Sequence, residues 1–162
     1  MNWTELIKGE AEAEYRTTNG LLDLVDDNRL DWKPSTGQNW MTMGQLLKHI
    51  TTSCGDGIHG FVTGNWGEPM PEEGSQLPTV SSVAEAKGLL AEDRQLALDM
   101  LTLAGEDRLA NEMVAAPWNP TKALLGLQCL HMAKHLTSHK SQLFYYLKLQ
   151  GKPVHTGHLW GG

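Results

Sequence analysis

The 162-residue chain predicts an all-α fold: a four-helix bundle with a long crossover connection between helices 2 and 3. Apolar residues recur at steps of three and four in four separate segments, the period of a helix with one buried face. Strand-like alternation is nearly absent, and only Val80 and the stretch Ala110 to Ala116 read as short extended pieces. A chain of this length can fill one core but not two, so residues 1–162 are read as a single domain.

The first helix is predicted from about Thr4 to Asp26, with Leu6, Ile7, Leu21, Leu22 and Val25 on its apolar stripe and Thr4 as N-cap. Pro34 and Gly37 make Asp31 to Asn39 a loop. The second helix starts at Thr42 and runs through Met43, Leu46, Leu47, Ile50, Cys54 and Ile58, weakened at its end by Gly55, Gly57 and Gly60. A Gly- and Pro-rich connection covers Gly64 to Thr79. It either carries the chain across the bundle or walls a pocket. The third helix opens on a capping box, Ser82 to Glu85, and ends at Gly105 as C-cap. After a second connection, Glu106 to Pro120, the last helix spans Thr121 to Gln150 and stops at Gly151, with Pro153 just beyond.

Composition excludes several classes. The formal net charge is -6 and no basic stripe is present, which argues against nucleic-acid binding. Lys134, Lys140, Lys148 and Lys152 read as a solvated face. No stretch has the roughly 18 apolar residues of a membrane span, and the N-terminal segment lacks a basic start followed by an apolar run. A cytoplasmic protein is expected. The two cysteines, Cys54 and Cys129, read as free buried thiols of a reducing compartment.

The histidines carry the chemical signal. His131, His135 and His139 follow one another at steps of four, so they fall within an arc of about 80° on the last helix. Leu124, Gln128, Met132, Gln142 and Leu143 share that side, which is expected to face the interior. Imidazoles there need partners. A pair at i and i+4, such as His135 and His139, can hold one metal ion from one helix face. The zincin pattern would place Glu directly after the first His, where this chain has Leu136. A further ligand must come from another helix, and His49, on the flank of the second helix's apolar stripe, is the natural one. From spacing alone, metal ligation and hydrogen-bonded core histidines both remain open.

Two segments go further. LDWKPSTGQNWMTMGQLLKHI, Leu30 to Ile50, and HMAKHLTSHKSQLFYYLKLQGKPV, His131 to Val154, resemble the DinB-like family, which includes the YfiT-like metal-dependent bundles. The likeness consists of a Trp-x-Pro loop, a helix with an early His, a His-rich helix ending in HxxxHxxQ, and the order of elements. It covers nearly the whole chain. It implies a metal triad of His49, His135 and His139, with His131 and Gln142 lining the pocket or supporting a ligand. The family often has an Arg-Gly pair after the last His, where this chain has Lys140-Ser141; that departure concerns helix packing.

The resemblance implies one divalent ion. Zinc or nickel is expected first, with iron or manganese next; imidazole ligation does not choose among them. It also implies a small-molecule substrate, with a cofactor thiol among the candidates, and a homodimer. Relatives of this kind include thiol S-transferases, a thiol-dependent maleylpyruvate isomerase and metal-dependent hydrolases. An enzyme activating a low-molecular-weight thiol is therefore expected. A hydrolase using metal-bound water and a non-enzymatic metal-binding or stress-linked protein are the alternatives.

No acidic residue has motif spacing to the histidines. Glu10 and Glu14 could reach the pocket, but surface solvation is their expected role. Cys129 lies about 120° from His135 around the helix and is a poor ligand. His59 is expected on a surface loop, and His155 and His158 in a solvated tail. Trp40, Trp66, Trp118 and Trp160 fall in or beside loops, where packing is expected ahead of ligand contact.

Overall fold

The structure, a computed structural model, describes residues 2–67 and 77–161. In chain order the elements are α1 (Trp3–Leu22), a 3-10 turn (Asp27–Arg29), α2 (Met43–Ile50), α3 (Cys54–Thr63), α4 (Val83–Asn111), β1 (Met113–Ala116), β2 (Asn119–Leu124), α5 (Leu125–Leu149) and α6 (Gly157–Trp160). α1 packs on α4 and α5, α3 packs on the same two, and α2 lies on α5. Four bundle positions result, as the sequence predicts, with the second occupied by two helices in succession. Ile7, Leu21, Leu22, Leu46, Leu47, Ile50, Leu101, Leu136, Leu143 and Leu147 are fully buried between them. Of the predicted connection from Gly64 to Thr79, residues 68–76 lie outside the described residues.

Capping fixes where helices begin. Asn2, rather than Thr4, caps α1: its side chain accepts from the Glu5 N–H at 2.9 Å, and the Glu5 carboxylate returns to the Asn2 N–H at 3.3 Å. Thr42 and Gln45 form the same reciprocal box on α2. On α4 only half of the predicted box is present. Ser82 Oγ accepts from the Glu85 N–H at 3.0 Å, but the Glu85 carboxylate accepts from Ser81 instead.

The predicted second helix breaks between Ile50 and Cys54. Thr51 and Thr52 turn their hydroxyls back onto the carbonyls of Leu47 and Lys48, at 2.8 and 2.9 Å, offering the backbone an alternative to continued helix. A side chain from α4 then starts the next helix: Asp93 accepts from the N–H groups of Gly55 and Asp56, at 2.9 and 3.1 Å, where Ser53 provides no cap. A Cβ on Gly55 would run into the Asp93 backbone, so glycine is what allows α3 this close to α4. The break leaves His49 in the last turn of α2.

Two further boundaries differ from expectation. Gly105 takes φ 69°, as a C-cap glycine should, but the chain resumes a helical course beyond it to Asn111. Glu106 then fastens this segment to the start of α1, accepting from the N–H groups of Trp3 and Thr4. The last helix starts at Leu125 rather than Thr121, because Asn119–Leu124 pairs antiparallel with Met113–Ala116. No helix among the described residues is long and apolar enough to cross a membrane.

Lys140 is not on a solvated face. It is 2% exposed, and its Nζ holds the Glu14 carboxylate at 2.7 Å, the Thr17 hydroxyl at 3.0 Å and the Leu159 carbonyl at 2.8 Å. Glu14 is correspondingly buried in this ion pair rather than solvated, whereas Glu10 is exposed.

Asp93 gives the fold a pH signature. Burial pushes its carboxyl up to about 6, against the lowering effect of the bonds from Tyr15 Oη (2.6 Å), Gly55 and Asp56. Its folded pKa thus lies above the unfolded value of 3.8. The native state then takes up this proton first, and the Asp93 contribution to stability rises as pH falls from about 7 toward 4. The three site histidines oppose it. Their folded pKa values are lowered, so their contribution is complete above the unfolded value of 6.5 and is lost as pH falls below it. The difference between metal-stripped wild type and Asp93→Asn isolates Asp93. Urea unfolding at pH 5 and pH 7.5 is expected to show the variant lacking a component, on the order of 1 kcal/mol, that favours wild type at the lower pH. Parallel pH dependences would contradict this reading.

Candidate metal centre

Two helices bring three imidazoles to one point. His49 Nε2 lies 3.3 Å from His135 Nε2 and 3.0 Å from His139 Nε2, and the latter two are 2.8 Å apart. The rings meet edge-on, with the centroid of His49 5.2 Å from that of His135 and 4.3 Å from that of His139. Nitrogens that share one ion at about 2.1 Å stand about 3.0 Å apart at octahedral angles and about 3.4 Å apart at tetrahedral ones. The observed triangle matches that spacing to within a few tenths of an ångström.

Protonation supports the same reading. Gln142 Oε1 accepts from His139 Nδ1 at 3.1 Å, which places the proton on Nδ1 and leaves Nε2 with its lone pair facing the other two rings. Gln142 is itself held, its Nε2 reaching Tyr146 Oη at 3.5 Å, and Tyr146 Oη donates to the Met41 carbonyl at 2.9 Å. Trp32 and Trp40 pack edge-on against the Tyr146 ring. Burial, followed by the charges of His139 and His135, lowers His49 to about 4. Burial also lowers His135 and His139. All three are therefore neutral at physiological pH, the form that binds metal. These three residues could hold a divalent cation, and the residues present fit one.

The chain from His139 through Gln142 to Tyr146 makes a prediction. Gln142→Leu is expected to weaken zinc binding by about 10- to 100-fold, because the ring loses the acceptor that fixes its tautomer. Gln142→Glu keeps an acceptor and is expected to retain most of the affinity. Competition with a chromophoric chelator measures both; equal losses in the two variants would contradict the assigned role.

Beside His49 a partly enclosed cleft of about 110 Å³ is lined by Met41, Gln45, Lys48, Thr52, Leu77 and Pro78. Among the described residues, none that lines it is Asp or Glu.

The DinB superfamily model matches residues 10–143. The chain belongs to the DinB superfamily. A DinB-like protein from Bacillus subtilis, YjoA, superposes with a TM-score of 0.68 at 20% identity, over 92% of this chain and 94% of that one. At that identity the likeness concerns the fold. No curated protein matches the sequence.

Elsewhere in this DinB-superfamily member the remaining candidates are dispersed. His131 is exposed one turn before His135 and stands outside the trio, because the arc that holds His135 and His139 against α2 has turned to solvent there. His59 lies on α3 rather than on a loop. His155 and His158 meet as tilted rings in the tail, with centroids 4.1 Å apart. Cys54 and Cys129 are free and fully buried, and burial pushes both thiols up to about 12, which makes them inert. Trp66 packs against Phe61 and Trp118, while Trp118 and Trp160 are largely exposed. Sequence reasoning missed Lys48, Met41 and Tyr146. Their signal was weak: Lys48 adjoins His49, and Tyr146 follows Gln142 by one turn.

Proposed function

We propose that this protein binds one divalent metal ion, zinc or nickel first, through His49, His135 and His139, and uses it to activate a small thiol for transfer to an electrophile. The carrying observation is the triangle of ring nitrogens, 2.8 to 3.3 Å on a side, beside a largely apolar cleft. A divalent ion there would supply Lewis acidity that holds a thiol as its nucleophilic thiolate. The protein's own residues do the rest. Gln142 fixes the proton of His139 on Nδ1, and Met41, Leu77 and Pro78 offer an apolar wall that excludes water from a bound chain. In the reaction a C–S bond forms at the electrophilic carbon, the bond to the leaving group breaks, and the thiol proton passes to solvent.

A hydrolase is the second reading, because a divalent ion at the same triangle of ring nitrogens would lower the pKa of bound water toward 7. The test is a panel of biological thiols with a chloronitroaromatic electrophile, run on zinc- and nickel-loaded protein. A metal-dependent rate with at least one thiol supports the proposal. No rate above metal-free protein overturns it, and thiol-independent turnover of ester probes would instead support the hydrolase.

A further inference from the structure

Among the described residues that line the cleft beside His49, one charged group has no hydrogen bond or salt bridge within the protein. Gln45 is largely turned inward: its Oε1 accepts from the Thr42 N–H at 2.8 Å and its Nε2 lies 3.5 Å from the Leu77 carbonyl. The Thr52 hydroxyl donates to the Lys48 carbonyl at 2.9 Å. Met41, Leu77 and Pro78 are apolar. Lys48 remains. Among the described residues its ammonium has no hydrogen bond or salt bridge; Asp56 and Glu85 feel its charge without touching it. As neighbours in the last turn of α2, Lys48 and His49 both line this space.

We infer that Lys48 selects an anionic ligand: a small molecule with a short aliphatic body, a metal-directed group at one end and a carboxylate, sulfonate or phosphate at the other. The aliphatic part follows from the apolar wall. The cleft encloses about 110 Å³ and is open on one side, so it holds the short body of the ligand rather than a bulky one. The charge follows from Lys48, since a cationic side chain among the residues lining a largely apolar cleft favours an anion through a charge-assisted hydrogen bond. This deepens the thiol reading and rests on it for the metal-directed group, while the anion preference stands on the cleft alone.

Matched probes separate the two. Sulfonates coordinate metals poorly, so their preference reports Lys48 rather than the ion. In cobalt-loaded protein, 3-mercapto-1-propanesulfonate and 3-mercapto-1-propanol are compared by the sulfur-to-cobalt absorption band. In zinc-loaded protein, 1-butanesulfonate and 1-butanol are compared by calorimetry. The anionic member of each pair is expected to bind about tenfold or more tightly. Lys48→Met should bring each ratio close to one while leaving metal content and neutral-probe affinity unchanged, and Lys48→Arg should restore the preference. If neither thiol gives a cobalt band but butanesulfonate is preferred and the preference needs Lys48, the thiol reading fails and the anion site stands. A ratio near one in wild type, or a preference that survives Lys48→Met, overturns the inference.

Discussion

His49→Ala protein, purified without a His-tag, is expected to lose nearly all of its bound divalent metal. The remaining pair, His135 and His139, is 2.8 Å apart on one helix and gives an ion only two of its three bonds. Two imidazoles from one helix face are a weak site without a third ligand. The loss should exceed the roughly 10- to 100-fold effect of changes that only disturb a ligand's support. Stability of the metal-free protein should hold, since His49 is half-buried at the edge of α2 and its lowered pKa marks an environment unfavourable to its charged form. Element analysis and chelator competition measure the metal, and urea unfolding of the stripped protein measures the fold. Wild-type metal content in the variant would mean that His49 is no ligand.

The second large effect concerns stability and lies away from the cleft. Lys140→Met is expected to destabilise the protein by about 3 to 5 kcal/mol, because it leaves the Glu14 carboxylate buried without its cation. The Glu14 and Lys140 side chains are 13% and 3% exposed, so little solvent is available to compensate. At roughly 2 to 4 °C per kcal/mol for a domain of this size, the melting temperature should fall by about 10 °C. The Leu159 carbonyl also loses its donor, so α6 should loosen. The double variant Glu14→Gln with Lys140→Met removes both charges and should be more stable than Lys140→Met alone. Calorimetry on all three proteins decides it; a single variant within about 1 kcal/mol of wild type would contradict the assignment of a buried, mutually dependent pair.

The elements read correctly from sequence were those specified locally. A three-to-four apolar period and the cap at Ser82 are short-range signals, and they placed the four bundle positions. The histidine trio was legible for a related reason: spacing of four on one helix brings His135 and His139 together, and the bundle supplies a facing helix for His49. What failed was what depends on distant partners. The break after Ile50 needs Asp93, some forty residues away, to cap α3. The hairpin that shortens α5 exists because Asn119–Leu124 finds Met113–Ala116. Lys140 looked like one lysine among several, and only the packing of α1 and α6 onto α5 makes it a buried ion-pair partner. His131 shares its helix stripe with His135 and His139, but one turn back from His135 that stripe has already reached solvent.

A crystal of the untagged protein, with anomalous diffraction recorded at the edge of the metal it carries, probes the centre most directly. The expected result is one strong peak bonded to Nε2 of His49, His135 and His139 at about 2.1 Å. A peak at His155 and His158 instead, or no peak after soaking in zinc and nickel, would contradict it.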